Sequence, residues 1–146
     1  MTVTTFSIDR GYDHRAELKE LGLRYDKETK LWTTHDERAF LIAQIKMGWV
    51  KHPPTKAGKW VVQHSDPTEM RICEHRGLCQ WDAALRLWVT DSAERAAEAK
   101  SAADKIDLWK MWNAKDPELS AAGLTLGQRT HRRGFGTIDA IIAPEH

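Results

Sequence analysis

The feature that most constrains this chain is a short hairpin pattern that occurs twice. The first copy, Gly22 to Thr34, reads Gly-Leu-Arg-Tyr-Asp-Lys-Glu-Thr-Lys-Leu-Trp-Thr-Thr. The second, Gly77 to Thr90, keeps Gly-Leu, aromatic-Asp and basic-Leu-Trp-x-Thr. Two short runs of strand-forming residues around an aspartate-led polar turn predict a β-hairpin. The copies lie about 55 residues apart, which favours a duplicated unit over a solenoid, since a solenoid needs more repeats.

The same elements flank each hairpin. Thr4 to Ile8 alternates like a short strand, and Asp13 to Leu21 reads as a helix capped by Asp13, with Tyr12 a candidate for its apolar side. Gly22 follows at the position where a helix favours a left-handed residue. Acidic residues at Asp36-Glu37 open a second helix.

The second unit repeats this order. A strand is expected at Lys59 to Val62, and Asp66-Pro67-Thr68 starts a helix for which Thr68 is the expected cap. After the hairpin, an alanine-rich segment predicts one long helix from Ser92 to Trp112, ended by Asp116-Pro117. Thr137 to Ala143 suits a short docked helix or a strand.

The predicted fold is therefore α+β, with two tandem strand-helix-β-hairpin-helix units packed together and a basic C-terminal tail. The expected boundaries are 1–48 for the first unit, 49–58 for a Lys/Trp/Pro connector, 59–116 for the second unit and 117–146 for the tail. Each unit alone is near the size at which a core becomes marginal, so we expect the units to pack on each other.

Composition narrows the function classes. The net charge of +1 comes from 22 basic and 21 acidic residues, so any nucleic-acid interface must come from local charge distribution. No apolar run has the length of a membrane span, and the N-terminal segment lacks a signal-peptide pattern. With only two cysteines, a cytoplasmic protein with reduced thiols is expected.

Catalytic and metal-binding motifs are not predicted. Cys73-x-His75-x3-Cys79, with His64 upstream, matches no common zinc-finger spacing, and Cys73 falls at an apolar helix position, so we favour buried thiols. No glycine-rich phosphate loop, nucleophile elbow or acid–base pair is visible. The sequence thus predicts no catalytic residue, no metal ligand, no cofactor and no enzyme activity.

A family resemblance lies at the first hairpin. Leu21 to Trp32 resembles the hairpin of HARP domains, the DNA-binding modules beside the motor of annealing helicases, and a small bacterial domain found in plasmid and phage proteins. The second copy departs in its turn, where Ala83-Ala84-Leu85 replaces Lys27-Glu28-Thr29. It matches at Gly77, Trp81, Asp82, Arg86, Trp88 and Thr90. The resemblance implies a DNA-associated or mobile-element context and no catalysis.

Most of the repeated hairpin has a structural explanation. The aspartate of each copy is suited to accept hydrogen bonds from turn amides, and the last tryptophan is suited to pack a helix onto the hairpin. Lys30 and Arg86 recur at one point of each hairpin and are harder to explain by packing. Both a phosphate contact and a solvated surface remain open for them.

The leading hypothesis is a non-enzymatic nucleic-acid-binding module, with DNA favoured, that contacts backbone phosphates and stacks tryptophans on bases. The connector is either a single-strand-binding surface or a loop anchored by Trp49 and Trp60. The predicted nucleic-acid-binding residues are Arg24, Lys27, Lys30, Lys56, Lys59, Arg86, Arg129, Arg132 and Arg133.

The alternative is a protein-interaction factor, an accessory subunit or inhibitor that docks on a nucleic-acid-processing enzyme. Exposed tryptophans are frequent anchors of protein interfaces. The end of the predicted long helix, with Met111 beside two tryptophans, is the expected contact surface. The predicted partner-binding residues are Trp49, Trp109 and Trp112.

Overall fold

The computed structural model describes residues 4–63, 66–130, 134 and 136–144. Within these residues the protein is α+β, with six α-helices and three small antiparallel sheets. Two of the sheets have three strands each, and the third is a C-terminal two-stranded hairpin. The α+β class predicted from the sequence is confirmed.

The first unit is a three-stranded sheet with two helices. Its elements are β1 (Phe6–Ile8), a 3₁₀ turn (Tyr12–His14), α1 (Arg15–Glu20), β2 (Arg24–Asp26), β3 (Leu31–Thr34) and α2 (Glu37–Lys46). The strand order is β1-β3-β2, with both pairings antiparallel. Gly22 adopts the predicted left-handed conformation after α1. Asp36 caps α2 by accepting from the Arg38 amide at 3.0 Å.

The second unit has the same element order. Its elements are β4 (Trp60–Val61), α3 (Pro67–His75), β5 (Gln80–Asp82), β6 (Leu87–Thr90) and α4 (Ala93–Asp104). The strand order β4-β6-β5 matches that of the first sheet. Tyr25 pairs with Trp32 across the first hairpin, and Trp81 pairs with Trp88 across the second. The two sheets thus share topology and register, while common ancestry stays a prediction.

Each three-stranded sheet has its own hydrophobic core, built around the last tryptophan of its hairpin. Trp32 and Trp88 are 3% and 6% exposed, as the packing role predicted for them requires. Trp32 packs with Ile8, Leu18, Leu23, Ala39 and Ala43. Trp88 packs with Val62, Met70, Cys73, Cys79, Ala96, Ala99 and Ala103.

Helix α2 joins the two units. Leu41, fully buried, packs against Val61 and Val89 of the second sheet, on the face opposite Trp88. Ile45 of α2 lies at the edge of the same cluster, together with Leu85 of the second hairpin turn. The second sheet is therefore covered on both faces.

The prediction of one long helix from Ser92 to Trp112 is wrong. Helix α4 ends at Asp104, and α5 (Leu108–Asn113) starts anew after Asp107. The Asp107 carboxylate caps α5 by accepting from the Lys110 amide at 3.1 Å. Asp104 in the last turn of α4 opposes the helix dipole, so both aspartates favour a break there.

The predicted loose tail also folds. It comprises α6 (Pro117–Ala121), β7 (Thr125–Thr130) and β8 (Thr137–Ile142), and the strand alternative for its last segment is confirmed. Leu119, Leu124 and Ile141 pack around Ile72 of α3. Their spacing follows no helix or strand period because they come from α6, from the segment before β7 and from β8. Arg132 and Arg133 lie outside the described residues.

Two predicted helix caps are also corrected. Asp13 lies inside the 3₁₀ turn and is not the cap of α1. The residue that caps α3 is Asp66, whose carboxylate accepts from the Thr68 amide at 3.0 Å. Thr68, the predicted cap, donates this hydrogen bond instead. Tyr12, a candidate for the apolar side of α1, is instead 67% exposed.

Removing the Leu41 side chain should test the contact between the units. Leu41→Ala leaves a cavity between α2 and the second sheet, so we expect a loss of about 2–5 kcal/mol in unfolding free energy, measured by urea denaturation. Leu126→Ala is the matched control, because Leu126 is 46% exposed and should cost about 0.5 kcal/mol or less. Equal losses would contradict the packing.

Candidate nucleic-acid interface

The two three-stranded sheets differ on the face opposite the buried tryptophan of each hairpin. Ser7 pairs with Thr33 in the first sheet at the register position where Val61 pairs with Val89 in the second. The valines are buried under α2. Ser7 is exposed and Thr33 is half-buried, with its hydroxyl donating to the Arg24 carbonyl at 3.4 Å. The first sheet therefore presents an open polar face.

The turn of the first hairpin is built by Asp26. Its carboxylate accepts from the Glu28 amide at 3.0 Å and from the Thr29 hydroxyl at 2.9 Å. These hydrogen bonds lower the pKa of Asp26, and the one from the Thr29 hydroxyl has the largest effect. The Lys30 amide donates to the Asp26 carbonyl at 2.8 Å, closing the turn. The turn-forming role predicted for this aspartate is confirmed.

The second turn repeats this geometry but is used differently. Asp82 accepts from the Leu85 amide at 2.9 Å, and its carbonyl accepts from the Arg86 amide at 2.7 Å. Leu85 then packs into the cluster between the units. The second turn is thus engaged in packing, whereas Lys27 at the start of the first turn is exposed.

The recurring basic residue of each hairpin occupies a strained position. Lys30 has a φ of 60° and Arg86 a φ of 54°, both in the left-handed region. A non-glycine residue there costs roughly 1–2 kcal/mol. Glycine or asparagine would close the same turn at lower cost. A backbone conformation alone therefore does not explain why both copies have a long cationic side chain.

Three cations gather on the first hairpin. Arg24, Lys27 and Lys30 are exposed and form no ion pair with any other residue in the described part of the chain. Arg24 lies on the open face, since Tyr25 next to it points towards Trp32. The first hairpin therefore presents three cations that are not held in ion pairs among the described residues, beside the exposed Glu28 and the turn-forming carboxylate of Asp26.

The two connector lysines have partners of their own. Lys59 lies 2.5 Å from Asp91, whose pKa this hydrogen bond lowers, and Lys56 donates to the Thr4 hydroxyl at 2.5 Å. Thr4 precedes β1, so Lys56 lies at the end of the first sheet opposite the hairpin turn. The nine predicted nucleic-acid-binding residues therefore do not form one surface.

The tryptophans of the connector are anchors. Trp49 packs against the first core and Trp60 against the second, as the anchored-loop alternative expects. The backbone between them forms a tight turn in which Thr55 donates to the Lys59 carbonyl at 2.6 Å. Trp49, predicted as a partner-binding residue, is half-buried.

A loop that sequence reasoning missed lies at the hairpin end of the first sheet. Ile8, the last residue of β1, pairs with Trp32, so the chain leaves the sheet beside Leu31, where the hairpin turn ends. This loop contains the exposed residues Arg10 and Tyr12, and the exposed Arg15 begins α1 directly after it. The signal in the sequence was the spacing Tyr-x-x-Arg, which places a cation over a ring in a helical turn.

A second surface lies in the C-terminal region. Trp109, 45% exposed, lines a groove of about 660 Å³ with Arg129 and Ile138 of the terminal hairpin and with Asp66 and Pro67 at the start of α3. Trp112 faces a different groove, formed with α6. Met111 packs inward against the cluster around Leu119. The two predicted partner-binding tryptophans of α5 therefore do not share one groove.

The cysteines are buried in the second core. Cys73 donates to the Ala99 carbonyl and Cys79 to the Met70 carbonyl. Burial raises the pKa of Cys73, and it raises the pKa of Cys79 to about 12. Among the residues that the structure describes, no three His, Cys, Asp or Glu side chains lie together in a group able to hold a metal. His64 lies outside that part of the chain.

Comparison of the chain with protein-family models, with curated proteins and with solved structures found no match. The resemblance of the first hairpin to HARP domains therefore stays a prediction. No helix in the described ranges is long and apolar enough to cross a bilayer.

The strain at Lys30 predicts opposite effects of glycine at two positions of one turn. Lys30→Gly removes the cost of a non-glycine residue in the left-handed conformation, so the free energy of unfolding, measured by urea denaturation, should rise by about 0.5–1 kcal/mol. Lys27 has no positive φ. Lys27→Gly should therefore lower the free energy of unfolding by a similar amount, because glycine gives the unfolded chain more conformational entropy. Both variants lose one charge, and shifts of the same sign would contradict this account.

Proposed function

We propose that this protein binds nucleic acid without catalysing a reaction, and that the hairpin end of its first sheet contacts the phosphate backbone. The observation behind the proposal is the set of three unpaired, exposed cations, Arg24, Lys27 and Lys30, beside a sheet face left open. DNA is favoured over RNA, in a cytoplasmic phage or mobile-element context, because of the resemblance to HARP domains and plasmid-borne modules.

The chemistry of this surface suits a phosphate backbone. Lysine and arginine that neutralise phosphates release condensed counterions, which supplies most of the affinity in non-specific binding. The hydroxyls of Ser7 and Thr33 are further donors to phosphate oxygens. The hairpin has two carboxylates: Asp26 is engaged by its own turn, and the exposed Glu28 forms no ion pair with the three cations among the described residues.

A second candidate function is docking on another protein through the C-terminal groove. It is favoured by exposed apolar side chains around that groove, which a monomeric protein tends to avoid in clusters. The side chains are Trp109 (45% exposed), Ile138 (39%) and Ile142 (36%). A tryptophan at the rim of an apolar groove is typical of an interface anchor.

Salt-dependent binding tests the nucleic-acid proposal. The triple variant Arg24→Gln, Lys27→Gln, Lys30→Gln should weaken binding to a labelled oligonucleotide. It should also make the slope of log affinity against log salt shallower by about 2, because three phosphate contacts are lost. Fluorescence anisotropy between roughly 50 and 200 mM salt measures both quantities.

The matched control removes the same charge elsewhere. The control variant replaces three exposed cations on α4 and after it by glutamine, namely Arg95, Lys105 and Lys110. Its binding should have the same salt slope as that of the wild type. An equal loss in both triple variants would mean that only net charge matters. A wild type that binds neither single-stranded, duplex nor forked nucleic acid would overturn the proposal.

The second candidate function has its own test. Co-purification of a protein partner from a nuclease-treated lysate should be lost in Trp109→Ala, because truncating a central aromatic anchor typically costs about 2 kcal/mol or more. Tyr12→Ala, which removes an exposed ring on the first unit, should leave the complex intact. Loss of the partner on nuclease treatment of the wild type would exclude direct docking.

A further inference from the structure

We propose that Tyr12 and Arg15 form a base-stacking platform, and that the nucleic acid bound at the first hairpin is single-stranded. This inference rests on the proposed function and specifies its ligand. It starts from an aromatic side chain that has no packing role. Tyr12 is 67% exposed, the highest value among the exposed large hydrophobic side chains of the described residues.

The tyrosine ring is held by its neighbour. The guanidinium carbon of Arg15 lies 4.9 Å from the centroid of the Tyr12 ring. The same guanidinium donates to the Tyr12 carbonyl at 3.1 Å, so the cation is fixed by both the ring and the backbone. A cation over a ring adds positive charge without blocking the remaining ring surface. The pair therefore offers an aromatic surface and a positive charge at one place.

The loop that presents this pair is anchored to the core. Gly11 has a φ of 115°, and a β-carbon there would lie 2.5 Å from Leu18 and 3.0 Å from Trp49. The loop backbone thus lies directly on buried side chains, an approach that only glycine permits. Trp49 also contacts Arg10, whose guanidinium lies 5.6 Å from the ring centroid. Anchoring lowers the entropy cost of ordering the platform on binding.

The platform lies at the same end of the first sheet as the hairpin turn. Because β1 is antiparallel to β3, the residues after Ile8 leave the sheet at the end where β3 begins, which is also the end of the hairpin turn. In this proposal, a nucleic-acid strand whose phosphates contact Lys27 and Lys30 extends along this end of the sheet to Tyr12. Phosphate contacts beside an aromatic ring are the arrangement by which proteins bind single strands.

The chemistry of the platform distinguishes single strands from duplexes. Base faces in a duplex are already stacked on their neighbours, so an aromatic ring has no free face to bind. Bases in a single strand expose their faces, and stacking one of them on an aromatic side chain contributes affinity with little dependence on sequence.

The test uses an oligothymidylate of about 15 nucleotides, a duplex of equal length and an abasic oligonucleotide that keeps the phosphates but lacks bases. Tyr12→Ala should weaken binding to oligothymidylate by about five- to 150-fold, because stacking one base is worth about 1–3 kcal/mol. Binding to the abasic strand and to the duplex should change less than about twofold, since only phosphate contacts remain there.

Controls separate stacking from folding and charge. Tyr12→Phe keeps the ring and should retain the affinity of the wild type for oligothymidylate. Trp112→Ala removes an exposed ring on α5 and should have no effect. The salt slope of Tyr12→Ala should equal that of the wild type, because no charge is lost.

The outcomes separate the two proposals. If the triple glutamine variant at Arg24, Lys27 and Lys30 loses binding while Tyr12→Ala binds oligothymidylate like the wild type, the stacking inference is wrong and the proposed function stands. Equal weakening of oligothymidylate and abasic binding by Tyr12→Ala would also overturn stacking. If the wild type binds none of the three probes, the proposed function fails, and the inference fails with it.

Discussion

The packing of α2 between the two units determines which surfaces of this protein are free. Ala39 and Ala43 on one side of the helix lie in the first core, while Leu41 on the other side lies against Val61 and Val89. A helix buried on both sides can cover one additional sheet face and no more. It covers the second sheet, so the corresponding face of the first sheet stays open, with the hydroxyl side chains of Ser7 and Thr33 where the second sheet has valines.

The two hairpins show how side chains adapt one backbone to two roles. In both turns the left-handed basic residue donates its amide to the aspartate carbonyl, while the aspartate carboxylate accepts from the Glu28 amide in the first turn and from the Leu85 amide in the second. The middle of the turn differs, because Leu85 in the second copy contributes to the contact between units, whereas the charged residues of the first copy face solvent. The departure of the second copy from the HARP-like pattern is therefore explained by packing, and the phosphate-binding role proposed here falls on the first copy.

Local chemistry could be predicted from the sequence, and contacts between distant residues could not. The hairpin turn at Asp26 and the left-handed Gly22 depend on hydrogen bonds and backbone preferences within a few residues. The break after Asp104 is also local, because Asp107 caps a new helix, but the strong helix propensity of the alanine-rich segment outweighed that signal in the prediction. The folded tail depends on contacts with the distant residue Ile72. In the candidate site, the sequence predicts the lysines of the turn but not the exposure of Tyr12, because that exposure is set by the loop at Gly11.

A net charge of +1 is compatible with a phosphate-binding surface because the acidic and basic groups are not distributed alike. Several aspartate carboxylates accept hydrogen bonds from backbone amides. Asp36, Asp66, Asp107 and Asp116 cap helices, and Asp26 and Asp82 close turns. A carboxylate at a helix N-terminus faces the positive end of the helix dipole, which offsets its field. The three cations of the first hairpin form no ion pairs among the described residues and outnumber the two carboxylates of that hairpin, Asp26 and Glu28, so the local charge there is positive.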